Sequence, residues 1–91
     1  MWETIDPEGR RVVLGLDRWL HILDQHEELE AGVVEILHVV EAPTRRHAGR
    51  KPGEEWFYVE GAGPSRYMKV VVHYEGEKGR IITAFPRRRF P

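Results

Sequence analysis

Tyr67-Met68-Lys69-Val70-Val71-Val72-His73-Tyr74-Glu75, then Gly76-Glu77-Lys78-Gly79, then Arg80-Ile81-Ile82-Thr83-Ala84-Phe85: this stretch decides the fold. Two runs rich in β-branched and aromatic side chains flank a short Gly-bounded turn, which is the pattern of a β-hairpin. Side chains alternate across a strand, so Met68, Val70, Val72 and Tyr74 share one face. Tyr67, Lys69, Val71, His73 and Glu75 share the other. Strict alternation in the second run groups Ile81, Thr83 and Phe85 against Arg80, Ile82 and Ala84. The hairpin thus has an apolar face for a core and a second face that carries Lys69 and His73. The rest of the chain is expected to build around it.

Working outward, Glu54–Glu60 reads as a further strand, joined to the hairpin through Gly61-Ala62-Gly63-Pro64-Ser65. Residues 42–53 read as a basic loop. Leu16 to about Leu29 has helical spacing at Trp19, Leu20, Ile22 and Leu23, with Asp17 placed to cap it. Glu30-Ala31-Gly32 interrupts the pattern. A second helix, from about Gly32 to Glu41, carries Val33, Ile36, Leu37 and Val40 as one stripe, and Pro43 ends it. Trp2–Ile5 and Arg11–Leu14 are short extended candidates around the turn Asp6-Pro7-Glu8-Gly9. The expected fold is α+β: a single domain of residues 1–91 with two N-terminal helices packed on a small antiparallel sheet, in the order β-α-α-β-β-β.

Composition bounds the function. The chain has 91 residues, the length of one domain, and no Cys, so it has no disulfide framework, thiol nucleophile or zinc ribbon. No apolar run approaches the roughly 18 residues needed to span a bilayer, and the first residues do not form a signal peptide. A soluble, cytoplasmic protein without a membrane partner is expected. Asn is absent and Gln occurs once, while Arg, Glu and Pro are plentiful. That composition fits a thermophilic source, or equally a GC-rich genome. Residues 1–41 hold ten acidic and three basic side chains, residues 42–91 five acidic and eleven basic. Either the basic half faces a polyanion or an acidic partner, or the two halves attract each other in the fold. The lone Ser65 sits in a turn without a nucleophile-elbow context, and no P-loop or dinucleotide fingerprint occurs.

Four stretches in this order carry a family resemblance. They are Trp19–Leu29 with its two histidines, Val39-Val40-Glu41-Ala42-Pro43 with the basic loop, Gly53–Tyr58, and Lys69–Val72 with Ile81–Phe85. Together they resemble the RelE-like small ribonucleases of the barnase/EndoU/colicin/RelE superfamily, of the toxin or prophage type. The resemblance implies metal-independent cleavage of RNA without a cofactor, and an antitoxin protein as partner.

Such cleavage uses the ribose 2′-OH as nucleophile on the adjacent phosphate. It needs a base for that hydroxyl, an acid for the leaving 5′ oxygen and cations for the charge on phosphorus. His26, at the edge of the core-facing stripe, is the first candidate, set against a structural histidine near a helix end. His21 and His26 are five residues apart, about 140° around a helix, so they do not form a metal pair. Lys69 is read as a phosphate binder or transition-state cation, and His73 as an alternative acid or base on the same face. Glu54 and Glu55 point to opposite faces, Glu54 with Trp56 and Tyr58 and Glu55 with Phe57 and Val59, so only one can serve a site; Glu55 is taken as the candidate base, against core packing and a cross-strand ion pair. Thr83 matches a Ser/Thr often found at the end of the last strand in the superfamily. It faces the core with Ile81 and Phe85 unless a bulge turns it. Arg45, Arg46, Arg50 and Lys51, with His47 among them, can grip phosphates. Arg87, Arg88 and Arg89 form a second basic cluster, suited to RNA or to an antitoxin. Two other readings stand beside the ribonuclease. One is a binding module for RNA or an acidic protein that cleaves nothing. The other is a homodimer formed through the aromatic strand Trp56–Tyr58.

Overall fold

The computed structural model describes residues 1–27, 29, 31–61 and 66–91. The chain runs β1 (Trp2–Ile5), β2 (Arg11–Leu14), α1 (Leu16–Gln25), α2 (Val33–Glu41), β3 (Arg45–Ala48), β4 (Glu54–Glu60), β5 (Tyr67–Glu75) and β6 (Lys78–Arg87). One six-stranded sheet has the order β1-β2-β6-β5-β4-β3. All neighbours are antiparallel except β2 and β6, which are parallel. The expected β-α-α-β-β-β order on a small antiparallel sheet is therefore corrected. The sheet is larger and mixed, strands dominate, and the helices follow a hairpin rather than a single strand.

Three local facts produce the difference. The Asp6–Gly9 turn closes β1 against β2, with Gly9 at φ +83°. Both N-terminal candidates are therefore strands. Residues 45–48, expected in a loop, pair with β4 as an edge strand. The aromatic strand β4 thus lies inside the sheet between β3 and β5 and offers no edge to a second copy. Finally, the helices carry the chain across so that β2 ends up parallel beside β6.

The expected central hairpin forms between β5 and β6. Glu75 pairs with Lys78 across a two-residue turn, with Gly76 at φ +63° supplying the left-handed backbone that such a turn requires. The strict alternation expected along β6 does not hold. Val71 pairs with Thr83 but Val72 pairs with Ile81, so Ile82 is an extra residue, a β-bulge. The bulge puts Ile81 and Ala84 on one face although they are three apart. It turns Thr83 and Phe85 to the other face, beside Lys69 and Val71.

The core lies on one side of the sheet. Val12, Leu14, Phe57, Val70, Val72, Ile81 and Ala84 meet Ile22 of α1 and Ile36, Val39 and Val40 of α2, all fully buried or nearly so. Each large apolar side chain here contributes roughly 1.5–3 kcal/mol by leaving water. α2 lies against β1, β4 and β5, while α1 packs on β6. α1 is one turn shorter than its periodicity suggests. Its N-cap is Gly15, with no side-chain cap, and Asp17 sits in the first turn, where the helix dipole favours it. α2 ends at Glu41, ahead of Pro43, as expected. Of the linker Gly61–Ser65, only Gly61 is among the described residues. Among those residues no helix is long and apolar enough to cross a membrane.

One polar cluster closes the core at the β1–β2 turn. Asp6, only 4% exposed, accepts backbone hydrogen bonds from Glu8 and Arg10 at 2.9 Å each. Its other oxygen accepts from the Tyr74 hydroxyl at 2.6 Å and from Arg10 Nε at 2.8 Å. The Arg10 guanidinium lies 3.7 Å from the centre of the Tyr74 ring and reaches Glu55 at 2.9 Å. Arg46 joins Glu55 at 3.0 Å and Glu8 at 2.7 Å. The cluster ties the first hairpin to β5, β4 and β3. Burial alone would raise the Asp6 pKa, but the hydrogen bonds from Tyr74 and Arg10 outweigh it and hold it below the ordinary 3.8. The stabilisation from Asp6 is therefore complete above about pH 4 and is lost as pH falls through the lower folded value. Asp6→Asn should cost about 3 kcal/mol at pH 7. It should also show a shallower loss of stability than the parent below about pH 4. Urea titrations at pH 7, 4 and 2.5 check both outcomes.

Candidate functional site

The face of the sheet away from the helices carries the candidate site. Register places Lys69 between two ring-bearing partners, Tyr58 on β4 and Phe85 on β6, with Trp56 two residues along β4 on the same face. Its ammonium sits 3.3 Å from the centre of the Trp56 ring, 5.6 Å from that of Tyr58 and 5.5 Å from that of Phe85. The rings leave Lys69 only 5% exposed. Among the described residues no carboxylate forms an ion pair with it. Burial, reinforced by the nearby Arg87 and Arg50 and opposed by Glu54, lowers its pKa from 10.5 to about 8. The ring faces attract the charged form and make so buried an ammonium tolerable.

Lys69 lies in a cleft of about 680 Å³. Trp56, Val71 and Phe85 form the apolar part of its lining, while Arg50, Arg87, His47 and Glu54 supply the charged and polar part. Glu54 accepts from the Trp56 indole N–H at 2.9 Å and from the Arg50 backbone at 3.3 Å. Gly49 makes room for it, since a Cβ there would stand 2.4 Å from Glu54 Cγ. His47 on β3 pairs with Trp56, and the two rings stack at 5.6 Å. His47 Nδ1 lies 2.6 Å from the Ala48 carbonyl oxygen. A carbonyl only accepts, so Nδ1 carries the proton and a neutral His47 keeps Nε2 as its basic nitrogen. Arg87 donates from Nε and Nη2 to Pro91 O at 3.3 and 3.1 Å. Two hydroxyls on this face, Tyr58 OH and Thr83 Oγ1, are buried without a hydrogen-bond partner among the described residues.

The fold sorts the expected site residues. Lys69, Arg50 and Arg87 come together in the cleft. Thr83 is brought to the same face by the bulge, opposite Val71, with its hydroxyl buried, but it does not line the cleft. Glu55 and Lys69 do not meet. Glu55 pairs with Val72, on the helix side, and Arg10 and Arg46 engage it there. Those cations hold it below the ordinary glutamate range against the effect of burial. A glutamate so engaged is a poor base, and Arg46 belongs with it rather than with the cleft. His26, at the C-cap of α1, stacks on Phe85 at 5.2 Å and meets His21 edge-on at 6.0 Å. It touches a residue of the cleft lining but does not itself line the cleft. His73 pairs with Glu54 across the strands and lies 3.8 Å from Glu75, in a separate hollow with Lys78 and Arg80. Arg45 pairs with Glu60 at 3.8 Å and lies over the Phe90 ring, and Lys51 is exposed at the β3–β4 turn. Among the described residues no cluster could hold a metal ion.

His47 enters the sequence reading only as one of the basic-loop phosphate contacts and Glu54 only as the alternative to Glu55; the fold brings both to the cleft. The signal for Glu54 was present: it alternates in phase with Trp56 and Tyr58. Choosing the correct phase required knowing which face of β4 the helices cover.

No protein-family model matches the chain, and no curated protein or solved structure matches it either.

A buried ammonium without a carboxylate destabilises the protein for as long as it is charged. The folded pKa of about 8 lies below the ordinary 10.5, so the penalty is full below pH 8 and disappears above 10.5. Lys69→Met should therefore be more stable than the parent at pH 7, by about 1–2 kcal/mol after the lost cation–π contact, and melt at a higher temperature. The difference should shrink between pH 8 and 10.5. Thermal melts across that range check it, and an equal or lower stability of the variant at pH 7 contradicts the assignment.

Proposed function

We propose that the protein is a small metal-independent endoribonuclease that cleaves a single strand in the cleft over Lys69. The observation that carries the reading is Lys69 itself: a lysine with pKa near 8, ringed by three aromatics, between Arg50 and Arg87. A phosphate entering the cleft would supply the anion that Lys69 lacks, and the rings give neighbouring bases a stacking surface. His47 Nε2 takes the 2′-OH proton while the 2′ oxygen bonds to phosphorus. The bond from phosphorus to the 5′ oxygen breaks, and the leaving oxygen takes a proton from the Lys69 ammonium. Arg50 and Arg87 carry the added charge on phosphorus. An acid whose pKa lies near the working pH suits this step. An acidic protein that covers the cleft, as an antitoxin would, belongs to the same reading.

The second reading is an RNA-binding module that does not cleave, favoured by a basic rim and stacking rings that need no acid–base pair. One experiment separates the two. With a labelled single-stranded RNA, Lys69→Arg should keep binding but lower kcat by about 10²-fold or more, because an arginine does not give up its proton near neutrality. His47→Ala should lose a similar factor, and parent activity should fall as pH rises through about 8. RNA that stays whole at saturating parent protein removes the catalytic reading and leaves the binding module.

A further inference from the structure

A second groove opens beyond the cleft, of about 380 Å³, lined by Arg45, Arg66, Tyr67, Arg88, Arg89 and Phe90. Its arginines come from three places in the chain: the edge strand β3, the entry to β5 and the segment after β6. Phe90 forms the wall between the two hollows. Its ring lies 5.8 Å from His47, which lines the cleft, and 6.3 Å from Tyr67, which lines the groove. Beneath it, Tyr58 meets it edge-on at 4.8 Å.

Most of the groove's charge has no ion-pair partner among the described residues. Of the four arginines, only Arg45 has an ion pair among the described residues, with Glu60 at 3.8 Å. Arg66 rests 5.8 Å from the centre of the Tyr67 ring, with no acidic partner among those residues. Four guanidiniums gathered in one hollow repel each other and draw in anions. Guanidinium groups also suit phosphate geometry.

We infer that this groove is a second polyanion subsite, which holds the phosphates of a single strand running on from the cleft across Phe90. A single strand fits better than a duplex, because an aromatic wall between two basic hollows offers an unpaired base a surface to stack on. This inference rests on the reading of the cleft as an RNA site and extends it: the substrate is a strand several nucleotides long.

The test measures binding apart from cleavage. Fluorescence anisotropy would compare a dinucleotide with a strand of roughly 12 nucleotides, both 2′-O-methylated so that they stay intact. The parent should bind the longer strand at least about tenfold more tightly, with a steep salt dependence. Joint replacement Arg66→Glu, Arg88→Glu and Arg89→Glu should remove that advantage, reduce the salt slope by about two and leave dinucleotide binding unchanged. The same three positions changed to Lys should keep most of the advantage. A parent with no length advantage, or a Glu variant that retains it, overturns the groove and leaves its arginines to an acidic protein. Length-dependent binding lost in the Glu variant supports the groove even if the parent cleaves no RNA, so the two readings fail separately.

Discussion

The β-bulge at Ile82 is the constraint on which the arrangement depends. β6 must give Ile81 and Ala84 to the core opposite Val72 and Val70, and these two residues are an odd number apart. Regular pleating would expose one of them. One extra residue reconciles both with the core, and it also turns Thr83 and Phe85 outward beside Lys69. Core packing and the aromatic surround of Lys69 are therefore two results of one backbone irregularity. Bulges are enriched near functional sites because they re-aim side chains without breaking the sheet.

The two faces of the sheet handle charge in opposite ways. On the helix side, Asp6, Arg10, Glu55, Glu8 and Arg46 satisfy one another through short hydrogen bonds, so a partly buried ionic cluster closes the core and joins the first hairpin to the other strands. On the open side, Lys69 is more buried than most of those groups, its ammonium is held against ring faces, and no carboxylate among the described residues forms an ion pair with it. Stability alone would favour an apolar side chain there. A group kept charged at such a cost, near a cleft, is a candidate for chemistry, because sites of that kind need pKa values moved towards neutrality.

Much of this was legible in the residues. The central hairpin, both helices, the β4 strand and the two N-terminal extended segments follow from period and punctuation, because Gly76, Gly9 and Pro43 force turns and ends. Lys69, Arg50 and Arg87 were chosen for their chemistry, and the fold brings them together. Glu55 suits the same chemistry, but the fold puts it on the opposite face of the sheet, and neither His26 nor His73 lines the cleft. The basic stretch 45–48 reads as a loop because it is dense in charge and lies between Pro43 and the Gly- and Pro-containing run 49–53. Its pairing with β4 depends on a partner strand and leaves no trace in its own composition.

The sequence by itself determined the helices and the extended segments other than β3, and the apolar face of β5, since these depend on neighbours within a few residues. Tertiary structure alone decided the six-strand order, the parallel contact of β2 with β6, the bulge that re-aims Thr83 and Phe85, and the exchange of Glu55 for Glu54 beside Lys69. Each of these depends on register between distant strands, and a one-residue change of register reverses every side chain. Local periodicity cannot fix that phase; the packing of α1 and α2 on one face does.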